Sequence, residues 1–411
     1  MLPTSAGAVA VAGPLLDFLE GLQLPHNRIL WERSQQKQTL HGLNRAPVAR
    51  MNRHPLAPLL LLVLATACSN ADVRVQPVGR ITRQYMDSSR TDWDGRVGRP
   101  LVTRVWYPAR AGSEESAWAA GVFQFGRSAL DAPFADDARR PLIVLSHGTG
   151  GSAAQLSWLA EALATEGFIV AGVDHHGNTA TEAAYRIGGF VLPGERARDL
   201  SVLVDLLLAD SLLGPRVDTS SIGAAGFSLG GFSVLALAGA HLPPDEWQRR
   251  CTMEPDVPWC VLPPEAPFTL RDIDSLRRSD AAFQAAASRG SEATRDARIA
   301  AVFAMAPALL PVTDTLTLRT ISVPVHVLLG DEDKQVPQEI TASVVTAQLR
   351  SAQISRMQGV SHYAFLAECT WRGRILVRAL CASDGIDRGD VHVRAAREAL
   401  TFFRTHLRRA D

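Results

Sequence analysis

Lysine is almost missing from this chain. Its 411 residues hold only Lys37 and Lys334, so nearly every cation is an arginine. In a chain this rich in alanine, that is compositional bias and points to no ligand. An excess of either charge is missing too, because Lys+Arg and Asp+Glu both number 42. Net charge therefore draws the chain neither to nucleic acid nor to acidic membranes. No unit of 20 to 50 residues repeats, which excludes solenoids and propellers. No apolar run is long enough to cross a bilayer as a helix. Cysteines number only five.

The composition, 46% hydrophobic and 20% charged, is that of a globular protein able to bury a sizeable core. The amino end has its own pattern. From Met51 the chain reads MNRHPLAPLLLLVLATACSN, with Arg53 and His54 ahead of a short apolar run at 56–67 and small residues before Cys68. That order is a secretory signal, and it resembles a bacterial lipoprotein signal in which Cys68 is lipidated and becomes the first mature residue. Ala65 stands where such signals prefer leucine. A buried helix is the plainer alternative. Because signals act at the front of a chain, Met51 is expected to be the true start and residues 1–50 a mis-called extension. The expected organisation is then a signal at 51–68 and one domain over 69–411, exported to the periplasm and tethered to the membrane through Cys68.

The other cysteines, Cys251, Cys260, Cys369 and Cys381, fit an oxidising compartment. Their spacing favours the disulfides Cys251–Cys260 and Cys369–Cys381, with four buried thiols as the alternative. No CxxC pair or suitably spaced histidine supports zinc.

Strand-like stretches at 101–106, which alternates apolar and polar residues, and at 141–146, 168–173, 222–227, 299–304, 323–329 and 352–357 alternate with helical patterns, notably 195–208, the segment after Ser228, and 393–407. This rhythm predicts an α/β fold, a mostly parallel central sheet with helices on both faces. Residues 241–297 break it, being proline-rich and charged. They read as a lid over the ligand side of the sheet, or as a surface excursion.

One stretch carries chemistry. Gly226-Phe227-Ser228-Leu229-Gly230 follows a buried run and opens a helix, as a nucleophile elbow requires. Gly-x-Ser-x-Gly alone is weak, since chance supplies it in roughly one protein in seven of this length. A serine hydroxyl also needs a base, and the base needs an orienting acid. Asp333 follows the run 323–329, and His362 follows 352–357. The order Ser228, Asp333, His362 is that of a hydrolytic triad. Asp331 is the rival acid, set aside because Asp333 lies further into the loop that must reach the histidine. Thr149, in His147-Gly148-Thr149-Gly150-Gly151, and Leu229 would supply oxyanion-hole amides. His147 reads as structural and His326 as a packing residue. His392 and His406 are set aside with the last helix. The pair His175-His176 suggests cleft wall more than metal.

The stretches 99–109, 141–152, 222–231, 330–337 and 359–369 resemble the α/β-hydrolases of the dienelactone-hydrolase-like group, which also resemble platelet-activating-factor acetylhydrolases. The resemblance implies an α/β-hydrolase fold with a lid insertion at 241–297. It implies Ser228 as nucleophile, His362 as base, Asp333 as acid, Thr149 and Leu229 as oxyanion donors, and no cofactor or metal. Serine replaces the cysteine of true dienelactone hydrolases, and Met305-Ala306-Pro307-Ala308 holds no carboxylate where the animal acetylhydrolases carry theirs. The expected activity is hydrolysis of carboxylic esters, small-molecule or lipid. The alternatives are an amidase or peptidase using the same triad, and a non-catalytic binding lipoprotein.

Overall fold

In a computed structural model of the chain, the structure describes residues 76–262, 266, 268–382 and 385–407. The signal-like segment 51–68 and its Cys68 lie outside the described residues. Ten strands form one sheet: β1 Val78–Thr91, β2 Val97–Pro108, β3 Ser116–Ala120, β4 Phe123–Leu130, β5 Arg140–Ser146, β6 Ile169–His175, β7 Val217–Phe227, β8 Ile299–Met305, β9 Val325–Gly330 and β10 Ala352–Met357. Their spatial order is β10-β9-β8-β7-β5-β6-β2-β1-β4-β3. From β10 to β6 every neighbouring pair is parallel, and β2 joins β6 antiparallel. The seven runs expected from the sequence are all strands, at β2 and from β5 to β10.

The helices used below are α1 Ser157–Thr165, α2 Gly194–Ala209, α3 Leu229–Ala238, α4 Glu246–Met253, α5 Leu270–Ser279, α6 Ala281–Arg289, α7 Gln338–Gln348, α8 Trp371–Leu376 and α9 Arg388–His406. Strands β5 to β9 are apolar on both sides, so helices must cover both. One core sets Leu159 and Leu163 of α1 and Phe402 and Phe403 of α9 against Ile143, Leu145 and Phe303. The other sets Leu200, Leu203 and Leu207 of α2, Val234 and Leu235 of α3 and Val345 of α7 against Leu142, Val144 and Val327. Each such side chain, fully buried, contributes about 1.5–3 kcal/mol.

The chain runs from β5 to β6 on one side, then crosses back to β7 on the other side of β5. Two loops diverge at this reversal, leaving a crevice at the carboxyl ends of β5 and β7 where α/β sheets take ligands. Residues 241–297 hold α4, α5 and α6, with a small core of Phe268, Ile273, Phe283 and Ala286 against Trp93 and Phe190. Disulfides join Cys251 to Cys260 and Cys369 to Cys381, the pairing their spacing favours.

One buried carboxyl makes stability depend on pH. Glu161 of α1 packs beneath β4 and accepts the Arg127 amide at 3.2 Å. Burial, with some help from Glu115, raises its pKa from 4.5 to about 8. Between those values the folded chain keeps a proton that the unfolded chain releases, so stability falls as pH rises through that window. Glu161→Gln cannot ionise. Scanning calorimetry should show it raising Tm at pH 8 and changing it little at pH 4. An equal shift at both would refute the assignment.

Candidate active site

Strand β7 ends at Phe227 and α3 begins at Leu229, leaving one residue for the turn. Ser228 takes it at φ 56°, ψ −120°, a conformation costly for a residue with a Cβ. Its amide donates to the Met305 carbonyl at 2.9 Å and its carbonyl accepts from the Phe232 amide at 3.1 Å, so the strain is held from both sides. The glycines are needed because strand and helix nearly touch. A Cβ on Gly226 would collide with the Gly230 carbonyl, and one on Gly230 with the Ser146 carbonyl of β5.

Three side chains, each from the carboxyl end of a different strand, converge here. The Ser228 hydroxyl donates to His362 Nε2 at 3.0 Å, and His362 Nδ1–H donates to Asp333 Oδ2 at 2.6 Å. The other Asp333 oxygen accepts the amides of Gln335 and Val336 at 2.9 and 2.8 Å, which locks the carboxylate's direction. Asp331, the rival, accepts the Gly359 amide and so ties the loop before the histidine to β9. The His362 ring packs on Phe227 at 4.8 Å between centroids. All three members are buried, with relative exposures of 8% for Ser228, 7% for His362 and 5% for Asp333.

Ser228 and His362 line a cavity of about 530 Å³, with Asp333 bonded to the histidine behind them. Thr149 and Leu229 line it beside Ser228, and among the described residues neither amide donates to another protein group. The walls are largely apolar, with Trp118, Phe125 and Phe190 among them. Trp247, Trp259, Leu262 and Phe268 come from segment 241–297 and line the same space.

Sequence reading missed a buried polar set beneath the crevice. Arg196 of α2 donates from one nitrogen to the His147 carbonyl, from another to Asn178 Oδ1 at 2.8 Å, and from Nε to Ser233 Oγ at 3.2 Å. Asn178 Oδ1 also accepts the Gly150 amide at 3.0 Å, and the Ser233 hydroxyl donates to the Leu229 carbonyl at 2.8 Å. One guanidinium thus braces the segment holding Thr149 and the helix start holding Leu229. Burial lowers the Arg196 pKa to about 9, still charged at neutral pH.

The histidine pair is not cleft wall, which corrects the expectation. The last residue of β6, His175, points under the sheet, where Nε2 meets Ser146 Oγ and Nδ1 meets Asp199 Oδ2, each at 2.9 Å. This second Ser/His/Asp arrangement is wholly buried, so no substrate reaches it. Burial drives the His175 pKa down to about 3, keeping the ring neutral. Burial alone would raise the Asp199 pKa, but Arg99 and Arg90 outweigh it and hold the carboxyl well below its usual range. His176 turns away to Glu182 at 2.8 Å. His147 bonds its own loop, with Nδ1–H donating to the Gly148 carbonyl at 2.7 Å and Nε2 accepting the His175 amide. His326 sits in the sheet against Phe303, and His392 stacks on Trp158.

Known proteins resemble parts of this chain. The family model for platelet-activating factor acetylhydrolase, isoform II, matches residues 126–188. Cutinase est1 of Thermobifida alba is 32% identical over 145 residues, covering 34% of this chain and 45% of that protein. Cutinase 2 of Thermobifida cellulosilytica is 31% identical over 145 residues, covering 34% and 51%. The aligned part thus spans about half the length of these relatives. A ferulic acid esterase from Streptomyces cinnamoneus superposes with a TM-score of 0.51 at 20% identity, over 82% of this chain and 92% of that one. At that identity the likeness is one of fold.

Proposed function

We propose that this chain, which has the fold of an α/β-hydrolase, is a serine hydrolase of carboxylic esters. One observation carries the reading. A serine hydroxyl on a strained turn lies 3.0 Å from an imidazole whose far nitrogen is bonded to a fixed carboxylate. Ester hydrolysis is also what the names of the cutinase and ferulic acid esterase relatives describe.

His362 Nε2 takes the proton as Ser228 Oγ attacks the ester carbonyl. Asp333 accepts the Nδ1–H bond throughout, holding the tautomer and stabilising the imidazolium that forms. The new oxyanion rests on the Thr149 and Leu229 amides, each such donor being worth about 3 kcal/mol. The alcohol leaves with the proton from His362, and water then releases the acyl group from Ser228 by the same path. The apolar walls suit an apolar acyl or alcohol group. Two disulfides and the signal-like segment 51–68 support export, with Cys68 as the tether.

Matched p-nitrophenyl esters and p-nitroanilides test the reaction class. The ester reading expects turnover of the esters, with the best chain length set by the 530 Å³ cavity. Anilides cleaved as fast as esters would favour the amidase reading, and turnover of neither would refute both.

The bracing set makes a separate prediction. Asn178→Ala removes the acceptor that fixes Gly150. A buried hydrogen bond is worth about 1–1.5 kcal/mol, which corresponds to roughly a tenfold fall in kcat. KM should change little, since the oxyanion loop matters most in the transition state. A rise in KM at constant kcat would contradict the bracing role.

A further inference from the structure

The segment 369–381, CTWRGRILVRALC, is closed on itself by the Cys369–Cys381 disulfide. It carries Arg372, Arg374 and Arg378 and not one acidic residue. Its inner side is firmly seated. Gly373 and Val377 are buried, the Thr370 amide donates to the Val122 carbonyl at 2.8 Å, and Cys369 bridges to Phe123. Val122, Phe123 and Leu380 all line the cavity, so the loop backs directly onto its wall.

The outer side is what needs a partner. Trp371, Ile375 and Leu376 of α8 are 68, 65 and 60% exposed, three large apolar side chains within six residues. Trp371 and Ile375 are four apart and share one helix face. Clustered exposure of this kind marks an interaction site more often than a stray surface residue. The surrounding charge says which kind. Elsewhere some exposed arginines pair with acids, as Arg96, Arg186, Arg249 and Arg404 do, and others, such as Arg271, Arg295 and Arg350, stand singly and beside no comparable apolar cluster. Among the described residues Arg372, Arg374 and Arg378 have no ion pair, and Arg372 instead lies over the Trp371 ring at 5.3 Å. A chain of zero net charge thus concentrates three unpaired cations around one apolar patch.

We propose that this loop docks on an anionic phospholipid surface, with Trp371, Ile375 and Leu376 entering the interface and the three arginines meeting lipid phosphates. Tryptophan settles at the headgroup level of bilayers. Each arginine near an anionic surface strengthens binding about fivefold, so the three together contribute about a hundredfold. A second copy of the chain is the poorer occupant, because a two-fold contact would face six arginines against each other. Docking would set the cavity wall beside the membrane. The inference stands apart from the ester-hydrolase reading, since it concerns binding and not turnover.

The test uses the full chain and vesicles of ether-linked phosphatidylcholine, with or without phosphatidylglycerol, so hydrolysis cannot enter. Trp371→Phe keeps an apolar ring and removes one fluorophore, and the difference from wild type isolates the Trp371 emission. Brominated lipid should quench that difference in anionic vesicles only, and high salt should abolish the quenching. Ile375→Ser with Leu376→Ser should weaken vesicle binding about tenfold or more. Replacing the three arginines by glutamine should remove the preference for anionic lipid while leaving Tm unchanged.

Three results would overturn the proposal. One is co-sedimentation with vesicles while Trp371 stays unquenched, which would assign binding to another segment such as 56–67. Another is equal quenching in neutral and anionic vesicles. The third is a lipid-free dimer, seen by sedimentation velocity, that the Ile375/Leu376 variant abolishes, which would assign the patch to a second copy.

Discussion

Ser228→Ala is expected to lower ester turnover about a millionfold, with binding of an unreacted ester nearly unchanged. The size of the loss follows from the geometry. His362 has one proton to take, that of the hydroxyl 3.0 Å away, and without it the base has no nucleophile to activate. The apolar cavity and the Thr149 and Leu229 amides would remain, leaving only a residual advantage over water. Stability should not suffer. Alanine at φ 56° pays the same backbone strain as serine and buries one polar group fewer, so Tm should hold or rise. His362→Ala should fall by a similar factor, and the double variant scarcely further, because the two residues act as one unit. Initial rates on a p-nitrophenyl ester, with a melting curve for each variant, check all three.

Asp333→Asn is the second large effect, about ten-thousandfold in kcat. Asparagine fits the same space, but its amide group can offer a donor where His362 Nδ1–H needs an acceptor. The ring would then settle in the tautomer that carries its proton on Nε2, facing Ser228, where it cannot accept one. Asp331→Asn is the natural control. That carboxylate bonds the Gly359 amide and no catalytic atom, so its loss should cost stability and less than about tenfold in kcat. Comparable losses in the two variants would mean that either carboxylate can serve the histidine.

The site was legible because each of its members follows a strand that the alternating rhythm marks out. Ser228 and Asp333 follow apolar strands buried on both faces, His362 follows the more polar edge strand β10, and the loops at the carboxyl ends of these parallel strands gather on one side of the sheet. Ser228, Asp333 and His362 were therefore readable from order and position, and spacing within the loop favoured Asp333 over Asp331. The mistake over His175 has a clear cause. Its neighbours Asp199, Ser146 and Arg196 are spread over more than fifty residues, and no local pattern announces a side chain turned beneath the sheet. Arg196 was invisible for a related reason, since one arginine on a helix usually marks a solvated face. Strands β1, β3 and β4 were missed because polar residues interrupt them and they depend on pairing partners rather than on burial of both faces. The helices of 241–297 rest on few anchors, chiefly Ile273 and Phe283, too sparse to set a period.

An active-site-directed fluorophosphonate, followed by peptide mapping, tests most directly whether this serine is the nucleophile. The account predicts one adduct per chain, on Ser228, absent from Ser228→Ala and much slower to form in His362→Ala. An adduct on another residue, or equal labelling of wild type and Ser228→Ala, would contradict it.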